Sequence, residues 1–239
     1  MILCIDCGNT RVKFGLFEKN DLKVNKVFSP EKTEEIFDWL DSIEFDDCIL
    51  SNVGSKNTEW LDRLKDEIDI YEPDAYSNLP IKFKYGSKDS LGGDRIAAWC
   101  GSIQQMPKSN ILVVNAGTCI TYDLIEKENG FIGGNIAPGL NMRFRAMNHF
   151  TVRLPLIKSH QVNPGSLGTS TESAMQHGVV NGIIYELEGY FRELSSQYSD
   201  LKCIMTGGDA DFIAQRTTIK PLVDQFLVLR GLNEIAHIQ

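Results

Sequence analysis

The chain has 239 residues, of which 42% are hydrophobic and 23% charged, and its formal net charge is −8. A chain of this length can bury a substantial core, and the composition is that of an ordinary soluble globular protein. The negative charge argues against nucleic acid or an anionic membrane as the main partner, so an anionic ligand would have to be met by local hydrogen-bond donors and a metal ion.

Hydrophobic patterning in the first half predicts a mixed α/β arrangement. A strand, a hairpin and a second strand run through Phe17. They are followed by a strand at 24–28, a helix at 31–41, a buried strand at 48–53, a helix at 58–68 and a helix that begins near Asp94. The helix at 58–68 is indicated by helical spacing of its apolar residues, beginning with Trp60 and Leu61.

The second half opens in the same way. After a break at 107–110, a strand, a hairpin and a strand begin at Ile111. We then expect a turn-rich loop at 133–139, a helix at 140–147, a long helix at 171–195, a strand at 201–205, a glycine turn at 206–209, a strand at 226–229 and a closing helix at 231–237. Two halves that open alike predict two α/β domains, at 1–108 and 109–239, with a cleft between them.

The N-terminus and the lengths of the apolar segments indicate where in the cell the protein is located. The first predicted strand begins directly after Met1. No apolar run approaches the ~20 residues that span a bilayer. We therefore expect a cytoplasmic protein without a membrane partner.

One short motif occurs at both hairpins. A strand ends in an acidic or amide residue, and a glycine and a hydroxyl residue follow before the chain turns. These residues are Asp6, Gly8, Asn9 and Thr10 in the first copy and Asn115, Gly117 and Thr118 in the second. Glycine lets backbone N–H groups approach a phosphate, and a carboxylate such as Asp6 can hold Mg²⁺ through water. Each copy alone also fits an ordinary tight turn, whereas the repetition favours a duplicated phosphate-binding fold.

The cysteines allow a competing interpretation. Cys4 and Cys7 have the spacing of a redox or metal motif. On a strand, however, residues three apart point to opposite faces, which places the two sulfurs poorly for one zinc ion. Because there is no second motif of this kind, we interpret the cysteines as small core residues.

Further motifs follow one another in a fixed order along the chain. Besides D-x-G-N-T at 6–10 they are a basic residue at Lys13, Tyr85 followed by L-G-x-D-R at 91–95, G-T at 117–118, G-G-x-I-x-P-G-L at 133–140, L-G-x-x-T at 167–171 and T-G-G at 206–208. In this order the chain resembles the type III pantothenate kinases, within the superfamily of actin, Hsp70 and the sugar kinases. The resemblance covers nearly the whole chain. It implies two duplicated RNase H-like (actin-like ATPase) domains with a nucleotide cleft between them.

The resemblance also implies an activity and roles for residues. The protein would phosphorylate the primary hydroxyl of pantothenate with ATP and Mg²⁺, in the first step of coenzyme A synthesis, and would be a homodimer. The implied catalytic base is Asp94; the implied ATP contacts are Asp6, Gly8, Asn9, Thr10, Lys13, Gly117 and Thr118; the implied pantothenate contacts are Tyr85, Gly92, Gly93, Asp94, Arg95 and Thr171. Local sequence leaves simpler roles open, since Asp94 could be the N-cap of a helix that begins at Ile96, and Arg95 could be a surface arginine.

One position departs from the family pattern. The family usually has Asp, associated with a monovalent cation site, where this chain has Asn115. An amide oxygen can still bind K⁺ or NH₄⁺, but the loss of a formal charge should weaken the site. We therefore expect a weaker requirement for K⁺ or NH₄⁺ than is usual in the family.

Two other functions remain open at the level of sequence. One is a non-catalytic regulatory or accessory protein with the same fold. The presence of Asp6, Asp94 and Thr118 argues against it, because a non-catalytic protein has no physical need for a base opposite a phosphate clamp. The other is a kinase for another small alcohol, such as a sugar. Tyr85 with the motif at 92–95 favours pantothenate, whereas the fold alone would not decide.

Overall fold

A computed structural model describes residues 1–54, 59–83, 85–157 and 165–239. Along these residues the elements are β1 Ile2–Cys7, β2 Val12–Glu18, β3 Asp21–Phe28, α1 Thr33–Leu40, β4 Asp47–Asn52, α2 Glu59–Glu67, a 3₁₀ helix Lys88–Ser90, α3 Gly93–Gln105, β5 Ile111–Ala116, β6 Cys119–Glu126, β7 Gly130–Pro138, α4 Leu140–Phe150, α5 Thr171–Gln197, β8 Lys202–Thr206, α6 Ala210–Ala214, β9 Leu222–Val223 and α7 Leu227–Ala236. None of the helices in these ranges has the length and apolar character needed to cross a membrane.

Two sheets repeat one strand arrangement. The first has the order β3-β2-β1-β4 and the second β7-β6-β5-β8-β9. In each, the opening strand pairs antiparallel with the next strand of its hairpin and parallel with a later strand. β9 pairs parallel with β8, and Tyr71 makes a single parallel bridge with Ile49 of β4 in the corresponding place. The shared arrangement confirms the predicted α/β fold with two similar halves.

The contacts divide the chain into two compact units. Unit 1 consists of Met1–Lys108, Glu128–Phe131 and Phe226–Gln239, and unit 2 of Ser109–Lys127 and Ile132–Gln225. The C-terminal helix and a short segment after β6 therefore belong to unit 1 with the first sheet. The division into domains 1–108 and 109–239 stays a prediction.

In unit 1, two helices approach each other through glycines. A Cβ atom at Gly231 of α7 would lie 1.7 Å from the carbonyl oxygen of Ala97 in α3. A Cβ atom at Gly101 of α3 would lie 2.4 Å from the carbonyl oxygen of Leu227. Only glycine permits backbones to come this close. The contact fixes α3, which begins within the L-G-x-D-R motif, against the C-terminal helix.

In unit 2, α5 provides the main apolar cover of the core. Its buried residues recur at helical spacing and include Val179, Ile183 and Leu187. They form one core cluster with residues of β5 and β6 such as Leu112 and Tyr122. This packing supports the strands that end at the second hairpin.

The strand predicted at 226–229 is wrong. Phe226 is the N-cap of α7, which runs from Leu227 to Ala236. Leu227, Val228 and Leu229 are buried, and the buried positions continue in the helix. A short apolar run fits a buried strand or a buried helix equally well by pattern, and here the packing against α3 decides for helix.

The loop predicted at 133–139 is also wrong. Residues Gly130–Pro138 form β7, which is the edge strand of the second sheet. Glycine and proline are tolerated at an exposed edge, where they are weak evidence for a turn. The other predicted helices and strands lie within a few residues of their predicted bounds, whereas the 3₁₀ helix, α6 and β9 were not predicted. The start predicted for α2 at Thr58 lies outside the described residues.

Candidate functional site

The first hairpin brings together the predicted phosphate-binding residues of unit 1. At its base Asp6 of β1 is paired with Lys13 of β2. The Gly8 N–H donates to the carbonyl oxygen of Arg11 at 3.1 Å, which closes the turn. Asn9 and Thr10 are exposed at its tip, where their donors can reach a ligand. The G-N-T part of the motif, residues 8–10, therefore forms a compact, partly exposed tip next to the carboxylate of Asp6 and the ammonium group of Lys13.

Asp6 is in an unusual electrostatic setting. Burial raises the pKa of its carboxyl to about 6, while Lys13 lowers that pKa and Asp94 raises it. Burial disfavours the charged carboxylate, and a second carboxylate nearby adds repulsion. A carboxyl pair with one lysine is therefore assembled where β1 ends, from residues that are far apart in sequence.

The start of α3 fixes the carboxylate of Asp94. The helix predicted to begin near Asp94 begins at Gly93 with Gly92 as its N-cap, which excludes the alternative role of Asp94 as the N-cap of a helix that begins at Ile96. Asp94 lies within the first turn, where its Oδ1 accepts the Arg95 N–H at 2.8 Å. A Cβ atom at Gly92 would lie 2.6 Å from this Oδ1. The glycine thus leaves room for the carboxylate, which the positive end of the helix dipole stabilises.

Gly93 also makes a close contact, on the side of the first sheet. A Cβ atom at this position would lie 3.3 Å from the carbonyl oxygen of Pro73 and 3.4 Å from Oγ of Ser51. Ser51 belongs to β4 and is paired in parallel register with Asp6. The first turn of α3 therefore rests on a serine next to Asp6, a neighbour that nothing in the local sequence signals.

Arg95 lies among aromatic rings. Only 6% of it is exposed. The guanidinium carbon lies 5.6 Å from the ring centroids of both Tyr85 and Trp99 and 5.8 Å from that of Phe131. The rings of Trp99 and Phe131 are stacked with centroids 3.9 Å apart. Arginine over aromatic faces gains cation–π attraction and is held in orientation. Tyr85 and Arg95, two of the predicted substrate contacts, therefore lie close together.

Sequence reasoning missed Phe131. Its N–H donates to the carbonyl oxygen of Lys82 at 2.9 Å, which brings it to the segment before α3. The preceding Gly130 has φ +78, and a Cβ atom there would lie 2.1 Å from the same oxygen. A contact between residues this far apart along the chain has no local sequence signal.

The second hairpin, in unit 2, is closed in a similar way. The Gly117 N–H donates to the carbonyl oxygen of Cys119 at 2.9 Å. The Gly139 N–H donates to the carbonyl oxygen of Thr118 at 3.1 Å. A Cβ atom at Gly139 would lie 2.3 Å from the carbonyl oxygen of Gly117. The end of G-G-x-I-x-P-G-L therefore packs directly on the G-T tip and holds it.

The T-G-G motif meets the same end of β5. The Asp209 N–H donates to the carbonyl oxygen of Ala116 at 3.0 Å. Gly207 has φ +99, and a Cβ atom there would lie 2.4 Å from that carbonyl oxygen. Three separated motifs of unit 2 thus converge on one strand end, and glycine is needed for this approach.

Asn115 is in the same region. It is paired in parallel register with Thr206 at the end of β5. Its Oδ1 lies 4.0 Å from where a Cβ atom of Gly117 would be, so the amide faces the hairpin tip. An amide oxygen in this place is a possible ligand for a cation but carries no formal charge.

Thr171 is the first residue of α5 and is exposed. Ser170 caps the helix, since its side chain accepts the Ser173 N–H in a capping box. Thr171 belongs to unit 2, whereas Tyr85 and Arg95 belong to unit 1. Thr171 therefore lies in the first turn of a capped helix of unit 2.

No group of three or more His, Cys, Asp or Glu residues within the described ranges is placed to hold a metal ion. All six cysteines are free, and Cys4 and Cys7 are both buried in the first sheet. Mg²⁺ is usually held by one or two carboxylates together with water and substrate phosphates. The pair formed by Asp6 and Asp94 is compatible with that mode of binding.

Comparison with known proteins identifies the relatives of the chain. The family model described as type III pantothenate kinase matches residues 2–193. The type III pantothenate kinase of Flavobacterium johnsoniae is 34% identical over 237 residues, which cover 98% of this chain and 96% of the relative.

Solved structures share the fold. A Campylobacter jejuni protein assigned to the Baf family of transcriptional activators has a TM-score of 0.66 at 24% identity, covering 99% of this chain and 98% of its own. A Sinorhizobium meliloti protein described as a 2-dehydro-3-deoxygalactonokinase has a TM-score of 0.61 at 11% identity, covering 100% of this chain and 99% of its own. At these identities the likeness concerns the fold alone.

Proposed function

Because the chain belongs to the type III pantothenate kinase family, we propose that Asp94 is the general base of its phosphoryl transfer and that Asp6 holds the metal ion. The enzyme is a transferase that phosphorylates pantothenate with ATP and a divalent metal in coenzyme A biosynthesis. The residue roles are supported by the pairing of Asp6 with Lys13 across the first hairpin, by the fixed carboxylate of Asp94, and by the effect of Asp94 in raising the pKa of Asp6.

Asp94 suits a base that acts by position. Its Oδ1 is held by the Arg95 N–H at 2.8 Å, and Gly92 leaves space for it. In a loose phosphoryl transfer the base mainly orients the attacking hydroxyl and takes its proton as the bond to phosphorus forms. A carboxylate that is fixed in position performs this task without strong basicity. The proton of the pantothenate hydroxyl would pass to the carboxylate of Asp94.

Asp6 suits Mg²⁺ held through water. Its carboxyl has a pKa raised by burial and by Asp94, so a divalent cation would offset both effects. When bound, Mg²⁺ neutralises charge on the transferring phosphates. Lys13 is the adjacent cation and would contact the same phosphates. The backbone N–H groups and hydroxyls of the two hairpin tips would donate to ATP; these residues are Gly8, Asn9, Thr10, Gly117 and Thr118.

Arg95 suits the carboxylate of pantothenate. A guanidinium forms charge-assisted, bidentate hydrogen bonds with a carboxylate. Its position against Tyr85, Trp99 and Phe131 limits the directions in which it can point. Tyr85, Gly92, Gly93 and Thr171 complete the proposed set of pantothenate contacts.

Asn115 would be a ligand of a monovalent cation, K⁺ or NH₄⁺. The activity would depend less on this cation than it would with a carboxylate at position 115. The amide oxygen faces the tip of the second hairpin, close to the proposed phosphate donors. Coordination by a neutral oxygen is weaker than coordination by a carboxylate.

A homodimer is also part of the proposal. Large apolar side chains are exposed on unit 2, among them Ile136 of β7 at 63% and Tyr185 of α5 at 65%. Exposed apolar side chains that form a contiguous patch mark an interaction surface, and these residues are the candidates for one. A cytoplasmic location and the lack of nucleic-acid or membrane partners stay predictions.

The test of the base is the substitution Asp94→Asn. The variant keeps the shape of the side chain, so it should fold and bind ATP, yet kcat should fall at least 100-fold, as when general acid–base catalysis is removed. Asp38→Asn, at an exposed site on α1, is the matched control and should change neither quantity. A near-normal kcat in Asp94→Asn would remove Asp94 from the mechanism.

A further inference from the structure

A buried hydroxyl without a partner lies beside the proposed metal site. Ser51, in β4, is 1% exposed, and its Oγ makes no hydrogen bond within the described residues. Burying an unpaired hydroxyl destabilises a folded protein, so such a group in a native structure calls for an explanation. Ser102 offers a comparison, since it is 0% exposed but its Oγ donates to the carbonyl oxygen of Trp99 at 2.7 Å.

The position of Ser51 points to Asp6. The central strand β1 has β2 on one side and β4 on the other, and at the level of Asp6 the paired residues are Lys13 and Ser51. Side chains of paired residues project from the same face of a sheet. The carboxylate of Asp6 is therefore flanked by an ammonium group from one neighbour and a hydroxyl from the other.

The start of α3 covers the hydroxyl. Oγ of Ser51 lies 3.4 Å from where a Cβ atom of Gly93 would be. A small residue is needed at position 51 for this packing, but alanine would meet that need without burying a polar atom. The hydroxyl itself is thus unexplained by packing.

We propose that Ser51 is a positioning residue, whose hydroxyl donates a hydrogen bond to the carboxylate of Asp6 when a metal-bound nucleotide is in place. An ionised carboxylate has more acceptor sites than one metal-bound water uses. Groups that hydrogen-bond to a metal-binding carboxylate fix its orientation. A rotation about one bond of the serine redirects its O–H. The inference rests on the proposed role of Asp6.

The test is Ser51→Ala, with Ser102→Ala as the control. Binding of Mg²⁺ with a non-hydrolysable ATP analogue is measured by calorimetry, and thermal stability is measured without ligand. In Ser51→Ala we expect about 10-fold weaker affinity for Mg²⁺ in the presence of the analogue, with thermal stability equal to or above that of the wild type and an unchanged KM for pantothenate. In Ser102→Ala we expect lower stability, because a buried hydrogen bond is lost, and unchanged Mg²⁺ affinity.

The outcomes separate this inference from the role of Asp6. Wild-type Mg²⁺ affinity in Ser51→Ala, with weakened affinity in Asp6→Ala, would overturn the role of Ser51 alone. Wild-type affinity in Asp6→Ala as well would overturn both. If Ser51→Ala does not fold, Ser51→Cys is measured instead, since it keeps a small side chain but donates weakly. Full affinity in that variant would also count against the inference.

Discussion

Replacing Asp6 with Asn should stabilise the protein at neutral pH while it removes most of the activity. Asn has nearly the shape of Asp, so the packing at the end of β1 should be kept. It carries no charge, so the cost of burying a carboxylate near Asp94 disappears. The same change removes the proposed oxygen ligand for Mg²⁺.

The size of the stabilisation follows from the pKa of Asp6. Burial raises it from 3.8 to about 6. Each pKa unit corresponds to 1.36 kcal/mol, which sets an upper limit of about 3 kcal/mol for the cost of ionising Asp6 in the folded state. Because part of Asp6 is exposed to solvent, which screens the charge, we expect about 1 to 2 kcal/mol.

Through Asp6, the folded state loses stability as the pH rises. The folded protein holds the proton of Asp6 more tightly than the unfolded chain does, since the folded pKa is the higher one. The resulting stability is fully present below about pH 4 and is lost as the pH rises through about 6. The stability difference between Asp6→Asn and the wild type should therefore be small near pH 4, increase between pH 4 and 6, and stay constant above about pH 7.

Urea unfolding of both proteins at several pH values between 4 and 8, without nucleotide, measures this difference. A rate assay with increasing Mg²⁺ at fixed ATP measures the loss of activity. Two results would refute the electrostatic reasoning. In the first, Asp6→Asn is no more stable than the wild type at pH 7; in the second, its gain in stability is the same at pH 4 as at pH 7. Normal activity at low Mg²⁺ would refute the metal role of Asp6.

Two further substitutions test other parts of the site. Gly92→Ala places a Cβ atom 2.6 Å from Oδ1 of Asp94 and should displace this carboxylate. We expect kcat to fall about 10- to 100-fold while circular dichroism shows an intact fold. An unchanged kcat would contradict the fixed position of Asp94. Asn115→Asp restores a formal charge and should make the rate more dependent on K⁺ over Na⁺; equal rate ratios in the two proteins would count against a cation at Asn115.

Much of the fold could be predicted because its signals are local. The hairpin tips at Gly8 and Gly117 combine glycine with hydroxyl groups between apolar strands, and both form hairpins in the structure. The errors arose where local signals conflict with distant packing. The glycines of β7 indicate a turn, but they lie on an exposed edge strand. The apolar run beginning at Leu227 fits a strand, but its packing on α3 makes it helical.

The motifs of the candidate site could be predicted from the sequence, but the residues that support them in the structure could not. Asp94 and Arg95 are recognisable from their motif, and the helix start near Asp94 is confirmed to within one residue, whereas the role of Gly92 as its N-cap has no clear signal in the sequence. Ser51 and Phe131 have no local pattern at all, since each reaches the site through pairing or packing with a distant segment. Such residues complete the surroundings of a motif and are visible only in three dimensions.

The most direct measurement is the release of ADP from Mg-ATP with and without pantothenate, in K⁺ and in Na⁺ buffers, with pantoate and glucose as other acceptors. We expect release that depends on pantothenate, with rates near background for the other two and only a modest preference for K⁺. Absence of release in every buffer from protein shown to be folded, or equal release with glucose, would contradict a pantothenate kinase with Asp94 as its base.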